Sequence, residues 1–267
     1  MSELRPAAVA GLFYPEDPAQ LRAEVNDLVV SASGAGRSTG RPPKAVIAPH
    51  AGYVYSGLTA AVALHALTAH GDPIRRVVIL GPAHRVPVTG LALPTASSFV
   101  TPLGEVPVDV ELVARVAELS GVEVDAAAHV EEHSLEVELP FLQVLLGDFR
   151  ILPLVVGNAS PATVAAVLES VWDEAETRIV ISSDLSHYHP YDIASRLDRE
   201  TAERVVALRG PIAYDRACGA GPINGLLEVA RRRRLDALLL DLCNSGDTAG
   251  GRGQVVGYGA FAFAEAA

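Results

Sequence analysis

Apolar residues occur along this chain in two patterns. Short runs such as the centre of residues 75–82 (RRVVILGP) contain no polar alternation, which is typical of strands buried on both faces of a sheet. Longer segments such as residues 160–175 repeat apolar positions every three or four residues and predict helices, here with Ser160 as N-cap and Pro161 in the first turn. The two patterns predict helices at 15–32, 58–69, 108–121, 133–147, 160–175, 193–208 and 222–233, and strands at 44–49, 75–82, 149–158, 178–184, 235–243 and 253–265.

The order of these segments indicates the fold class. Strands and helices alternate from residue 44 onwards, which favours an α/β fold, a three-layer sandwich with a central, mostly parallel sheet. The last two strands, 235–243 and 253–265, are joined by a short loop and are predicted as antiparallel additions. Residues 33–44 (SGAGRSTGRPPK) form a connection too short for a domain boundary, so we expect a single domain over residues 1–267.

Composition favours a globular protein and argues against nucleic acid as a partner. Of the 267 residues, 49% are hydrophobic, which is enough for a sizeable core, and 5% are aromatic. The formal net charge of −11 repels phosphate backbones, so we expect no nucleic-acid binding. The one basic cluster, residues 231–234, lies at the end of a predicted helix, where arginine complements the helix dipole.

Cysteine usage and the first residues predict a cytoplasmic protein. Cys218 and Cys243 do not make a disulfide framework and suit a reducing compartment. The first residues, MSELRPAAVAGLFYPEDP, lack the basic start and apolar centre of a signal peptide. No apolar run approaches the ~20 residues that span a bilayer, so we expect no membrane association.

Three histidines each follow a predicted strand by a few residues. His50 comes after AVIAP, His84 after VVILGPA and His187 after IVISSDLS. Ligands of open α/β sheets bind outside the carboxyl ends of the strands, so we expect these imidazoles to meet in one site. Asp184, three residues before His187, could orient that imidazole, act as a base or cap a turn. His133 immediately precedes a predicted helix, where it lines a pocket or caps the helix.

Cys218 could supply an anionic group to this site. It lies in the glycine-rich stretch RACGAGPINGLL, ahead of Pro222 as the first residue of a predicted helix, and a helix N-terminus favours a thiolate. Two neutral imidazoles and a thiolate make a metal site with open positions that suits Fe(II), Zn(II) or copper. Spacing does not choose the metal, and a metal-free alternative uses Cys218 as a nucleophile with His187 as its base.

Five motifs in order resemble those of one known family. They are IAPHAGYVYSG, ILGPAHRVP, EEHSLEVELPF, ISSDLSHYH and CGAGPINGLL. They are similar to successive motifs of the Memo-like family, whose bacterial members are often called AmmeMemoRadiSam system protein B. The resemblance extends from AGLFYPEDP to GYGAFAF and so covers nearly the whole chain.

The resemblance implies a fold related to the class III extradiol dioxygenases and a metal site like theirs. Those enzymes hold Fe(II) on two histidines and a glutamate, and they use another histidine as acid–base catalyst. Carried over motif by motif, the resemblance makes His50 and His84 metal ligands and puts Cys218 in the place of the glutamate. A thiolate there is an oxidisable sulfur beside any bound dioxygen, so ring cleavage does not follow from the resemblance.

The remaining site groups and the function are implied in the same way. His187 takes the acid–base position with Asp184 beside it, and Tyr55 and His133 line the pocket. The implied function is a metal-dependent redox enzyme, with non-haem Fe(II) as the first expectation and Zn(II) or copper as alternatives. Its substrate is an unidentified small molecule or peptide, and the family name implies a link to a radical-SAM protein and an AMMECR-type protein. The competing hypothesis is a non-catalytic module that binds a peptide or metabolite in this pocket.

Overall fold

Strands and helices alternate along the chain in this computed structural model, which describes residues 3–35 and 40–266. Short 3-10 helices occur at Glu136–Glu138 and Ser245–Asp247. In chain order the strands and α-helices are β1 (Leu4–Arg5), α1 (Pro18–Ala35), β2 (Ala45–Ala48), α2 (Tyr53–Thr68), β3 (Arg76–Pro82), β4 (Leu91–Leu93), β5 (Ser98–Thr101), β6 (Gly104–Pro107), α3 (Val110–Ala117), β7 (Val122–Val124), α4 (Ala127–Val130), α5 (Leu139–Leu146), β8 (Arg150–Val156), α6 (Pro161–Trp172), β9 (Thr177–Ser182), β10 (His187–His189), α7 (Tyr191–Val206), α8 (Ala220–Arg233), β11 (Leu235–Asn244) and β12 (Val255–Glu265).

The main sheet has a parallel centre and antiparallel flanks. Strands β2, β9, β3 and β8 lie side by side and run parallel. On one flank β4 runs antiparallel to β8 and carries β7 at its edge; on the other, β12 runs antiparallel to β2, β10 and β11. The α/β prediction is confirmed, as is the antiparallel pairing of the last two strands. The sheet as a whole is mixed, because short strands extend the parallel centre at both edges.

Alternate residues of the central strands point into two separate cores. Val46 and Val77 belong to one core, which α1, α2 and α5 cover. Ile47 and Val78 belong to the other, which α3, α6, α7 and α8 cover. Burial of each such side chain stabilises the fold by about 1.5–3 kcal/mol, and helices on both faces make three layers. Of the helices in the described residues, none combines the length and apolar character needed to cross a bilayer.

Two helices begin at positions that the apolar pattern does not indicate. Helix α2 begins at Tyr53 rather than at residue 58. Its first turns contain Gly57, where α1 approaches closely and a Cβ would lie 2.9 Å from Leu28 Cδ1. The helix predicted from residue 133 begins as a 3-10 turn, Glu136–Glu138, and becomes α5 at Leu139. Both acidic residues of this turn are buried, so they do not serve the helix dipole at the surface.

A second sheet and several short strands were not predicted. Strands β1, β5 and β6 form a three-stranded sheet, and β4, β7 and β10 extend the main sheet. Each has two to four residues, which is too short to produce an alternating pattern. These strands bring the first residues of the chain against the segment that precedes α5.

Buried Glu136 fastens the amino-terminal segment to that part of the protein. Its carboxylate accepts hydrogen bonds from the backbone N–H groups of Ala8 at 2.8 Å and Val9 at 3.1 Å, and it forms an ion pair with Arg5. The Arg5 guanidinium also donates to the carbonyl oxygen of Glu132. Removal of one partner from a buried ion pair costs about 3–5 kcal/mol, because the other charge stays buried.

The basic cluster at residues 231–234 ends helix α8, as predicted. Arg234 is the C-cap residue in a left-handed conformation with φ of 56°. Arg232 pairs with Glu169 at 3.0 Å, and Arg233 pairs with Asp173 at 2.7 Å. These contacts join α8 to α6 and to Asp173, the residue that follows α6.

Candidate metal centre

The predicted site residues line one cavity of about 1040 Å³. It lies beyond the carboxyl ends of β2, β9 and β3, where the parallel strands release their loops. Residues predicted as ligands, as acid–base groups and as pocket walls all contribute to its lining: His50, His84, Cys218, His187, Asp184, Tyr55 and His133. The convergence of residues remote in the chain therefore follows from the strand order.

Three of these imidazoles form a compact group. The ring centroids of His50 and His84 are 5.2 Å apart, those of His50 and His133 are 5.5 Å apart, and those of His84 and His133 are 4.6 Å apart. One nitrogen from each ring lies within 4.8 Å of the others, so this cluster could hold a divalent metal. The sequence predicted His133 as a pocket residue; the structure groups it with two predicted ligands.

His50 is held behind the cluster by a serine of β9. Its Nδ1 lies 2.7 Å from Ser182 Oγ, and the Ser182 hydroxyl lies 2.5 Å from the carbonyl oxygen of Ser134, which can only accept. His50 Nδ1 therefore carries the hydrogen, and Nε2 keeps its lone pair. Burial, together with the nearby rings of His84 and His133, lowers the pKa of His50 well below its usual value. The ring is a neutral ligand with Nε2 available.

His84 is held in the same way by a carboxylate, Glu132. Its Nδ1 lies 2.9 Å from Glu132 Oε1, and its backbone N–H donates to Oε2 at 2.6 Å. The N–H of Ser134 adds a bond of 2.9 Å to Oε1. Burial opposes ionisation of Glu132, but the hydrogen bonds from His84 and Ser134 outweigh it and lower the pKa of Glu132 to about 2. Glu132 thus stays ionised and accepts the hydrogen of His84 Nδ1, so Nε2 is the ring atom that can coordinate a metal.

His133 completes the group from the segment before α5. Its Nδ1 lies 3.4 Å from Glu132 Oε1 and has no hydrogen-bond partner among the described residues. Burial and the neighbouring His84 lower the pKa of His133 to about 4, so the ring is neutral at physiological pH. The ring of Phe13 packs against it at 4.9 Å. One nitrogen of this neutral ring belongs to the group of three that could hold a metal.

Cys218 lies beside His50 but outside the group of three imidazoles. Its Sγ is 3.4 Å from His50 Nε2 and accepts a hydrogen bond from the N–H of Asp184 at 3.3 Å. Helix α8 begins at Ala220, two residues before Pro222. Burial and the neighbouring Asp184 carboxyl raise the pKa of the Cys218 thiol to about 12. The expected thiolate at a helix N-terminus is therefore wrong for the metal-free protein, since desolvation outweighs the helix end.

Asp184 and His187 share the cavity, although each makes its own backbone contacts. Asp184 Oδ1 accepts the N–H of His50 at 2.9 Å, and burial raises the pKa of Asp184 to about 7. His187 Nδ1 lies 2.9 Å from the carbonyl oxygen of Leu185, which leaves its Nε2 unprotonated, and burial lowers the pKa of His187. Tyr55 is 40% exposed at the cavity rim. The acid–base roles of Asp184 and His187 stay predictions.

Comparison of the sequence with known families decides the relationship. The sequence model of the Memo-like protein family matches residues 5–262. The chain belongs to the Memo-like family. All of the residues of the candidate site lie within the part of the chain that matches the family.

Archaeal relatives extend over the same length. A MEMO1 family protein of Methanothermobacter thermautotrophicus is 36% identical, and the aligned region covers 96% of this chain and 98% of the relative. A MEMO1 family protein of Methanopyrus kandleri is 38% identical over 97% of this chain and 98% of its own. The crystal structure of an uncharacterized protein from Escherichia coli K12 has a TM-score of 0.52 at 14% identity, covers 83% of this chain and 100% of its own, and shows a similar fold.

Two residues that hold the imidazoles were missed in the sequence. Glu132 belongs to the motif EEHSLEVELPF, where two adjacent glutamates look like solvated surface. Ser182 lies inside the strand predicted over residues 178–184, and it is the last residue of β9 in the structure. The available signal was their place within motifs shared with the Memo-like family, because a metal-binding imidazole needs a partner for its second nitrogen.

Proposed function

We propose that this Memo-like protein is a metal-dependent redox enzyme that holds Fe(II) at the imidazole cluster and binds its substrate in the cavity. The observation that carries the proposal is the group of three histidine side chains whose ligand nitrogens lie within 4.8 Å of one another. The pKa values of His50 and His133 are lowered, so both rings are neutral, and His50 and His84 are held by partners at Nδ1, which leaves Nε2 of each for coordination.

The residues fit a divalent metal of this kind. The Nδ1 atoms of His50 and His84 are occupied by Ser182 and Glu132, which leaves both Nε2 atoms for coordination. Metal–sulfur bonds of about 2.3 Å and metal–nitrogen bonds of about 2.0–2.1 Å put two neighbouring ligands about 3.1–3.6 Å apart. The 3.4 Å between Cys218 Sγ and His50 Nε2 falls in this range. We therefore propose Cys218 as a further ligand beside the imidazoles, deprotonated when the metal binds.

The remaining cavity residues supply binding and proton transfer. His187 is neutral and keeps Nε2 free, so it can take a proton from a bound substrate and return it. Asp184, with a pKa raised to about 7, exists in both protonation states near neutral pH and can share that work. When bound, a redox-active divalent ion would supply Lewis acidity and an accessible change of oxidation state.

A metal-free nucleophilic enzyme is less well supported. Cys218 would need to be a thiolate at neutral pH, whereas burial and Asp184 raise its pKa to about 12. Two observations favour a binding module: the size of the cavity and the exposed tyrosines that line it. Tyr188 is 69% exposed and Tyr214 is 62% exposed, and both line the cavity, as they would in contact with a peptide.

Metal analysis of anaerobically prepared protein tests the proposal. We expect about one equivalent of Fe(II) per chain after reconstitution, and loss of binding in the double variant His50→Ala, His84→Ala. His70→Ala is the matched control, because His70 is exposed at the end of α2. A sulfur–iron charge-transfer band that disappears in Cys218→Ser would identify the thiolate ligand. A wild-type protein that takes up neither Fe(II), Zn(II) nor copper would contradict the proposal, and metal-independent capture of a stoichiometric peptide would favour the binding module.

The genomic link that the family name implies is a separate proposal. A radical-SAM protein and an AMMECR-type protein would act in the same reaction sequence. Co-purification with either protein, or a change in turnover on adding it, would support the link.

A further inference from the structure

A buried acid lies two hydrogen bonds behind His50. Glu138 belongs to the 3-10 turn before α5, and its side chain has no exposed surface. Its Oε1 lies 3.1 Å from Ser182 Oγ, and its Oε2 has no hydrogen-bond partner among the described residues. Ser182 Oγ in turn lies 2.7 Å from His50 Nδ1. Glu138, Ser182 and His50 therefore form a chain that leads from the protein interior to the imidazole cluster.

The hydrogens in this chain can be assigned by counting donors. The Ser182 hydroxyl has one hydrogen, and the Ser134 carbonyl at 2.5 Å can only accept it. The two lone pairs of Ser182 Oγ must then accept hydrogens from its other two neighbours, His50 Nδ1 and Glu138 Oε1. This arrangement requires Glu138 to be a neutral carboxylic acid that donates.

The surroundings of Glu138 agree with a neutral acid. Burial is the main cause that raises the pKa of Glu138 to about 8, and the carboxyl of Asp184 acts in the same direction. An ionised carboxylate would leave the unpartnered Oε2 as a bare buried charge, which costs far more than a neutral oxygen in the same place.

We propose that Glu138 is a positioning residue, which donates a hydrogen bond to Ser182 and thereby holds His50 in the tautomer that keeps the Nε2 lone pair free. With Glu138 in place, both lone pairs of Ser182 Oγ accept hydrogen bonds, one from His50 Nδ1 and one from Glu138. The Ser182 hydrogen therefore cannot turn toward His50 Nδ1. Without this donor only the Ser134 carbonyl, at 2.5 Å, holds the Ser182 hydroxyl away from Nδ1. The hydroxyl can then also turn and donate to Nδ1, which moves the ring hydrogen to Nε2 and blocks the ligand atom in part of the molecules. The effect on metal binding rests on the proposed function, whereas the effect on the tautomer does not.

The tautomer can be measured without any metal. In chelator-treated protein with 15N-labelled histidine, the two ring nitrogens of His50 give separate signals, assigned by comparison with His50→Ala. We expect wild type and Glu138→Gln to show protonated Nδ1 and bare Nε2, because the glutamine amide also donates to Ser182. We expect Glu138→Met, which has similar volume and no donor, to show a mixture of tautomers. Glu138→Leu serves if the methionine variant does not fold.

Zinc affinity gives a second readout. Competition of Zn²⁺ with a chromophoric chelator should show binding weakened about 10- to 100-fold in Glu138→Met and close to wild type in Glu138→Gln. Wild-type tautomer and affinity in Glu138→Met would overturn the proposal, and so would a glutamine variant that behaves like methionine. A wild-type protein that binds no metal would count against the proposed function alone, because the nitrogen spectra still decide the role of Glu138.

Discussion

Replacement of Glu132 by glutamine tests whether the ionised carboxylate behind His84 stabilises the protein. Glutamine keeps the size of the side chain but removes its negative charge and one of its acceptor oxygens. Glu132 has a pKa of about 2 in the native protein, whereas an unperturbed glutamate has 4.5. Since the side chain is 1% exposed, this difference corresponds to about 3 kcal/mol of stability at neutral pH.

The sign of the pH dependence follows from the lowered pKa. Below pH 4.5 the unfolded chain takes up a proton at this position while the native protein does not. The stabilisation is therefore complete above pH 4.5 and is lost as the pH falls toward 2, with less than half remaining near pH 3. Glu132→Gln should lower the unfolding free energy by about 2–3 kcal/mol at pH 7 and by much less near pH 3.

Urea unfolding of metal-free protein at pH 7, 5, 4 and 3 measures this difference. Glu203→Gln is the matched control, because Glu203 is exposed on α7 and should show no comparable effect. A Glu132→Gln penalty that is constant from pH 7 to pH 3 would mean that the shape of the side chain, rather than its charge, stabilises the site. An absent penalty at pH 7 would refute the reasoning.

Further predictions concern acid stability, thiol reactivity, metal stabilisation and helix packing. His133, with a pKa lowered to about 4, contributes stability that is present above about pH 6.5 and is lost as the pH falls to 4, so metal-free wild type should lose more stability in this interval than His133→Phe. Cys218 should react slowly with iodoacetamide at pH 7.5, because its pKa is raised to about 12; rapid alkylation of metal-free protein would contradict this. Excess Zn²⁺ should raise the melting temperature of wild type but not of His50→Ala, measured by scanning calorimetry. Gly225→Ala should destabilise the protein by about 1–3 kcal/mol in denaturant unfolding, because its Cβ would lie 2.4 Å from the Cβ of buried Val164, where α8 packs on α6.

The sequence predicted the parallel centre of the fold and the location of the site. His50 and His84 were identifiable because each follows a continuous apolar run, and parallel strands release their loops at one edge of the sheet. To apply this rule one needs to recognise buried parallel strands, and a continuous apolar run indicates such a strand.

The residues that hold the imidazoles could not be found in the same way. Glu132 and Glu138 lie in a segment whose acidic residues suggest a solvated helix start, yet both are buried. Their burial depends on partners far away in the chain, such as His84 and Ser182. A hydrogen bond between distant segments leaves no periodic trace in either of them, and the short strands that bring the segments together leave none either.

The contact between Arg5 and Glu136 makes the amino-terminal segment part of the support behind the imidazole cluster. Arg5 also donates to the carbonyl oxygen of Glu132, the residue that holds His84. Proteolytic removal of a segment that includes Arg5 would leave the Glu136 carboxylate buried without its arginine partner. It would also release the backbone of Glu132, the residue that holds His84. The cleaved protein would lose the support of its imidazole cluster before its core unfolds.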